Sequence, residues 1–399
     1  MFLISSCYLR HFNSPAATQI AKHNIEQDYA VVGSWEDTNI TLTVLEHYIP
    51  RFFKDATKIF YSDSNKFHKN ATPHKSELEP AVELYTLNAD LLNNTKKAEV
   101  DILFYNRVPK TGSMQLITLM KNLGKMHDYE VEVDPNNGGI RPSLDEQEEE
   151  HTIENISNFE DGMAFVSHMN YLNFTDYGQP RPIYINMVRD PVERVISWYY
   201  YIRSPWIFIP GRRKNKRKMP NPQWVNTEFD QCVMNKDKVC TFIEGSGLEK
   251  VGDHRRQTLF FCGNNAKKCM PFNTKIPLEM AKRTVEKEYA VVGTWEDTNI
   301  TLSVLENYVP RYFKGATKMY YNGLNSDIQN SNPFKPHISE DIKQMVRQNF
   351  TREYEFYQFC RQRLHKQYLA IKKNDLQQLV LKEEQEKMSF IKKALMKLH

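Results

Sequence analysis

Two short stretches hold residues whose types and spacing could do chemistry. In DILFYNRVPKTGSMQLITLM (101–120) an apolar run ends, a tight loop gathers Arg107, Lys110, Thr111, Gly112 and Ser113, and a helical pattern begins. Backbone N–H groups at a helix start, a glycine permitting close approach and a lysine together make a cradle for an anion such as phosphate. The stretch is not a Walker A loop, which needs GxxxxGK[ST], so a nucleotide kinase or other NTPase is disfavoured. No acidic strand end is clearly placed to hold Mg²⁺, and no metal is expected. An ordinary strand-to-helix turn carrying a surface lysine is the plain alternative.

The second stretch is INMVRDPVERVISWYYYIR (185–203). A strand ends at Val188, Arg189 sits at its carboxyl end, and Pro191 opens a helix. Ligands of open α/β sheets bind outside the carboxyl ends of strands. Ser197 lies two helical turns after Arg189, so both could face one phosphate. Alone, this stretch reads equally as an Arg189–Asp190 ion pair with a packed serine. The aromatics Trp198–Tyr201 read as core.

Elements that alternate between strand and helix must position these residues. Apolar runs at 101–108, 163–168, 182–188 and 289–293 read as strands. Helical spacing follows at 113–124, ending on Gly124 as a C-cap, and at 191–203. A further helix precedes Tyr289, and another, capped by Asp297 or Thr298, follows it. The acidic run DEQEEEHTIEN reads as a solvated helical face or a loop. This order argues for an α/β domain with a parallel sheet flanked by helices.

The sequence YAVVGSWEDTNITLTVLEHYIPRFFK from Tyr29 returns as YAVVGTWEDTNITLSVLENYVPRYFK from Tyr289. Two copies so far apart do not make a solenoid, which repeats at short periods. The second copy supplies the last strand and helix of the sheet. The first has too little chain before it to bring the preceding units. The expected organisation is a partial duplicate over 1–65, a polar linker over 66–97 with one helical stretch near 78–92, the sheet domain over 98–365, and a charged helical tail over 366–399.

Composition sets wider limits. A formal net charge of +4 leaves polyanion binding to local patches. The chain has no apolar run of about 18 residues or more, so no membrane-spanning helix is expected. The start, MFLISSCYLRHF, turns polar too soon for a signal peptide. Cys232 lies near Cys240, and Cys262 near Cys269. These pairs read as local disulfides of an oxidising compartment. Buried thiols or a zinc site are the alternatives, the latter disfavoured by spacings unlike CxxC. N-x-S/T sequons from Asn39 to Asn349 agree with a secretory route.

Taken together, these stretches resemble the sulfotransferases that use 3′-phosphoadenosine 5′-phosphosulfate. More narrowly, they resemble the uronosyl 2-O-sulfotransferases, and within that group the insect Pipe branch. YNRVPKTGS is similar to the loop for the 5′-phosphosulfate, INMVRDPVERVISWYYYIR to the element for the 3′-phosphate, and FFCG (260–263) and the paired cysteines also match. The resemblance covers about 98–365 and implies a P-loop-like fold and metal-free, in-line sulfuryl transfer. It implies that Lys110 stabilises the leaving phosphate, that Thr111, Gly112 and Ser113 cradle the 5′-phosphate with Arg107 beside them, and that Arg189 and Ser197 take the 3′-phosphate. SHMNYLNF (167–174) puts His168 where the family has its base, and a near-neutral imidazole suits proton abstraction from a sugar hydroxyl.

Two departures bear on the acceptor and the loop. Val166 stands where heparan-type members carry another histidine, and Met114 where a small hydroxyl residue is common. The Pro-flanked run RRKNKRK (212–218) reads as an exposed loop, and its Arg212, Arg213 and Lys214 as a surface for an acidic glycan. A solvated loop or nuclear-import patch is the alternative; no nucleic-acid partner is expected. The family implies a type II membrane protein of the Golgi lumen and leaves room for a homo-oligomer. The rival class is a glycan-binding protein that keeps this fold without turnover, which would have no need of Lys110, Arg189, Ser197 and His168.

Overall fold

The computed structural model describes residues 88–134, 144–214, 218–247, 255–323 and 336–396, apart from an isolated position at Thr43; for Gly211, Arg212, Lys214 and the helix beyond 375 only the backbone is described. The first repeat copy, the expected 1–65 segment and most of the linker lie outside the described residues. The compact unit runs from Asn88 to His399.

Its centre is a sheet of five strands: β1 (Leu103–Asn106), β2 (Val131–Val133), β3 (Ala164–Ser167), β4 (Ile183–Val188) and β5 (Tyr289–Thr294). All neighbours pair in parallel, in the order β2-β3-β1-β4-β5. Every residue of β1, β3, β4 and β5 is buried. That is why these strands read as continuous apolar runs: helices cover both faces.

Successive side chains of a strand point to opposite faces. Leu103 and Tyr105 pack with Leu116 and Met120 of α1 (Ser113–His127), while Phe104 packs with Ile153 and Ile156 of α2 (Glu146–Ser157). The acidic run is thus a helix with two buried isoleucines, begun by a capping box between Asp145 and Glu148. Helix α1 does not stop at Gly124. It continues to His127 and turns at Asp128, whose φ is +56°. Gly124 serves packing instead, since a Cβ there would collide with the Tyr129 carbonyl.

α3 (Pro191–Arg203) follows β4, with Asp190 accepting from the N–H groups of Val192 and Glu193. α4 (Pro205–Lys214) comes next, then α5 (Lys275–Lys287) before β5 and α6 (Thr298–Tyr308) after it. The long α7 (Thr351–Met396) closes the chain.

Local expectations change at the basic run and before residue 92. Arg212, Arg213 and Lys214 form the last residues of α4, not an open loop, and residues 215–217 lie outside the described residues. Two residues of the expected linker are bonded to the sheet domain: Asn94 donates to the carbonyls of Glu286 and Tyr289, and Thr95 to that of Tyr308. Residues 88–92, the described end of the expected helical stretch, form turns. The expected boundary at 365 falls inside α7. α7 runs straight through, with Ala370 and Ile371 still buried. Arg363 and Gln367 of α7 donate to the carbonyls of Tyr289 and Ala290, so the start of edge strand β5 is closed by side chains. No described helix is long and apolar enough to cross a membrane.

Candidate active site

The carboxyl ends of β1, β3, β4 and β5 deliver Arg107, His168, Arg189 and Trp295 to one edge of the sheet. The loop after β1 is shaped by its backbone. Lys110 has φ +68° and Gly112 φ +82°. A Cβ at Gly112 would enter the indole ring of Trp295, so glycine meets both the left-handed backbone and the close approach. Thr111 is buried and its hydroxyl donates to the Val108 carbonyl at 2.9 Å. Gly112 caps α1; the N–H groups of Gln115 and Leu116 donate to its carbonyl, and those at the very start of the helix lie outside the helical ladder. The residues expected to form an anion cradle therefore lie in one tight turn at a helix N-terminus.

The loop is gripped from behind. Arg194 of α3, 1% exposed, donates through Nε to the Pro109 carbonyl at 2.9 Å. Arg189 Nη1 reaches the Lys110 carbonyl at 3.4 Å, which brings the two anion elements together. The Arg189 backbone is held by Gln257, whose side chain accepts from its N–H at 3.0 Å and donates to its carbonyl at 2.7 Å. Ser197 is half-buried on α3, with no side-chain hydrogen bond to Arg189 among the described residues.

Arg107 is buried and its Nη1 meets the Met114 sulfur at 3.2 Å, a weak acceptor. The Nε groups of Arg107 and Arg189 are both buried without a hydrogen-bond partner. Burial lowers the Arg107 pKa, partly offset by Tyr105 and Tyr201. A buried guanidinium N–H left unmatched is costly, and an anion would remove that cost.

His168 follows β3 and packs beside Arg107. Its Nδ1 lies 3.0 Å from the Arg107 carbonyl oxygen. A carbonyl can only accept, so Nδ1 carries the hydrogen and Nε2 keeps the lone pair. Burial and the positive charges of Arg107 and Arg194 pull the imidazole pKa down to about 3, against the opposing hydrogen bond and the charge of Asp134. The ring is therefore neutral and able to take a proton at Nε2.

The aromatic run divides in a way its composition did not reveal. Trp198 and Tyr199 are core, but Tyr201 is 37% exposed, and Lys110 Nζ sits 3.9 Å above its ring centroid. Sequence reading also missed Arg194, Gln257 and Glu353. Arg194 and Glu353 each left a trace, a charge on an otherwise apolar helix face. Arg213 is exposed at the end of α4. The Sγ atoms of Cys232 and Cys240 are bonded, as are those of Cys262 and Cys269, while Cys360 is a buried thiol.

Comparison with known proteins agrees with this geometry. The chain is 47% identical over 291 residues to the uronyl 2-sulfotransferase homolog pip of Drosophila melanogaster, an overlap of 72% of this chain and 57% of the fly protein. It thus spans little more than half of that relative's length. It is 29% identical over 294 residues to heparan sulfate 2-O-sulfotransferase 1 of Homo sapiens, covering 72% of this chain and 77% of the human one. The Gallus gallus protein of the same name is 30% identical over 263 residues, covering 65% of this chain and 69% of its own. The model of the sulfotransferase family matches residues 94–360, from the segment that closes β5 to the buried Cys360 of α7. On that match, and with the parallel sheet and strand-end loop that go with it, the chain belongs to the sulfotransferase family.

Proposed function

We propose that this chain moves a sulfuryl group from 3′-phosphoadenosine 5′-phosphosulfate to a hydroxyl of an acidic glycan, the 2-hydroxyl of a uronic acid in a glycosaminoglycan being the preferred acceptor. The observation that carries the donor reading is the pair of buried, unmatched Nε–H groups of Arg107 and Arg189 flanking the Lys110 loop. Two anionic ends of one nucleotide would satisfy them. The acceptor reading rests on the names of the relatives, a uronyl 2-sulfotransferase homolog and heparan sulfate 2-O-sulfotransferases.

The donor supplies a sulfur whose bond to a phosphate oxygen is broken as the bond to the acceptor oxygen forms. Thr111, Gly112 and Ser113 hold the 5′-phosphate at the start of α1, and Arg189 with Ser197 the 3′-phosphate. Lys110 places its ammonium against the departing phosphate oxygen and stabilises the charge that develops there. His168 takes the hydroxyl proton at Nε2. The anionic donor beside Arg107 offsets the charges that depress the imidazole, making it a stronger base when loaded. Arg212, Arg213 and Lys214 offer cations to the acceptor's carboxylates and sulfates.

The bonded cysteine pairs support an oxidising, lumenal compartment. A Golgi location and an anchor follow from the family resemblance.

Incubating the chain with ³⁵S-labelled donor and a panel of desulfated heparan, chondroitin and dermatan chains, followed by disaccharide analysis, tests the reading. Label at the uronic acid 2-position is the expected result. No transfer to any of them, with Lys110 and His168 intact, would overturn it.

A further inference from the structure

A buried polar chain joins the two anion-binding elements behind the site, through residues with no contact to any donor in the scheme above. It starts at the Gln257 side chain, which spans the N–H and the carbonyl of Arg189 as a neighbouring strand would. The Gln257 N–H donates at 2.7 Å to Glu353 of α7, and the N–H and hydroxyl of Thr258 also donate to that carboxylate. Gln257 and Glu353 have no solvent exposure. The Glu353 carboxylate and the buried Arg194 guanidinium attract one another electrostatically, each favouring the charged form of the other. Arg194 completes the chain at the Pro109 carbonyl, next to the left-handed Lys110.

Burying such charges is expensive, and an apolar replacement of like volume is often as stable. What the polar chain adds is geometry. Each link fixes a backbone group at the base of a side chain that reaches the anion. Arg189 leaves β4 with both its backbone polar groups engaged, and Lys110 leaves a loop pinned one residue earlier.

We infer that Gln257 and Glu353 are positioning residues that set the spacing between the Arg189 element and the Lys110 loop, so that the two phosphate groups of one nucleotide are read as a pair. This rests on the donor reading of the proposed function. Gln257 acts on the Arg189 end alone, whereas Glu353 acts on both ends.

The test is calorimetric binding of 3′-phosphoadenosine 5′-phosphate and of AMP, which lacks the 3′-phosphate, to the full chain. The wild type should bind the bisphosphate more tightly; if it does not, the donor reading itself falls. Gln257→Met, near-isosteric, should weaken bisphosphate binding by about ten-fold while leaving AMP within about two-fold, the effect of losing one or two backbone hydrogen bonds. Thr258→Val, a milder isosteric change to the Glu353 link, should weaken bisphosphate by about three-fold and keeps the test alive if the first variant does not fold. Glu353→Gln should weaken both ligands. Parallel loss of both ligands in the Gln257 variant would reduce that residue to packing and overturn the inference, as would an unchanged bisphosphate affinity in either the Gln257 or the Thr258 variant.

Discussion

His168 Nδ1 donates to the carbonyl oxygen of Arg107 across 3.0 Å, and this one bond decides which imidazole nitrogen can accept a proton. Arg107 thus serves His168 with its backbone while its side chain faces the anion site. His168→Ala should lower turnover by about 10²–10⁴-fold. Binding of 3′-phosphoadenosine 5′-phosphate should stay within about two-fold, since no donor contact is lost. Single-turnover transfer and calorimetry separate the two effects; turnover close to wild type would remove His168 from the mechanism.

The pH profile follows from the same pair. Burial and the charges of Arg107 and Arg194 hold the free imidazole's pKa near 3, below its ordinary 6.5. The neutral form is the base, so activity persists above the pKa and is lost as pH falls through it. The profile of kcat/KM, which reports the free enzyme, should show no His168 limb near 6.5 as pH is lowered. The kcat profile should fall at a higher pH, because the bound anion offsets the arginines. Coincident acid limbs for kcat and kcat/KM would count against this coupling.

Gly112 is predicted to resist substitution for two separable reasons, its φ of +82° and the Trp295 ring where a Cβ would sit. Gly112→Ala should cost donor affinity and at least about 1 kcal/mol of stability. Adding Trp295→Ala should restore only the steric part. Thermal melts and bisphosphate titration of the three variants check this; full recovery in the double variant would mean that the left-handed backbone costs nothing.

The disulfides predict a stability difference. Cys232–Cys240 and Cys262–Cys269 close loops with sequence separations of 8 and 7. Each should contribute roughly 2–3 kcal/mol by constraining the unfolded chain. Cys262→Ser with Cys269→Ser should therefore lower the urea midpoint. Non-reduced peptide mapping that finds these cysteines as free thiols would refute the pairing.

Residues before Asn88 should be dispensable for transfer, whereas those just after it should not. A secreted 88–399 chain should sulfate acceptor as well as the full chain. One beginning at Ala98 loses the Asn94 and Thr95 bonds to Tyr289, Glu286 and Tyr308, and should melt several degrees lower. Failure of the longer chain to transfer would make the N-terminal segment part of the enzyme.

How much of this was legible depended on whether the relevant residues sit together in the chain. β1, its loop and α1 were readable because strand, glycine and helical period are contiguous, and Pro191 marked the start of α3. β2 gave no signal: Val131–Val133 is a three-residue edge strand that is never fully buried. Lys110 stood out in its local motif, and Arg189 and His168 were named once the family resemblance was added. Glu353 could not be named, being 96 residues from the Gln257 N–H it receives. Tyr201 was misread because tyrosine looks alike in core and cleft, and only the fold showed Lys110 above it.

The closure of β5 by Asn94, Arg363 and Gln367 has a consequence for synthesis. β5 is the last strand of the sheet to leave the ribosome, and its Tyr289 and Ala290 carbonyls find their partners only when residues 363 and 367 follow. At elongation rates of about 5–20 residues per second, β4 waits on the order of ten seconds for β5, and β5 on the order of seconds more for α7. The edge of the sheet is therefore sealed last, by side chains from the far end of the chain, and slowed translation through α7 should prolong the interval in which that edge stays open.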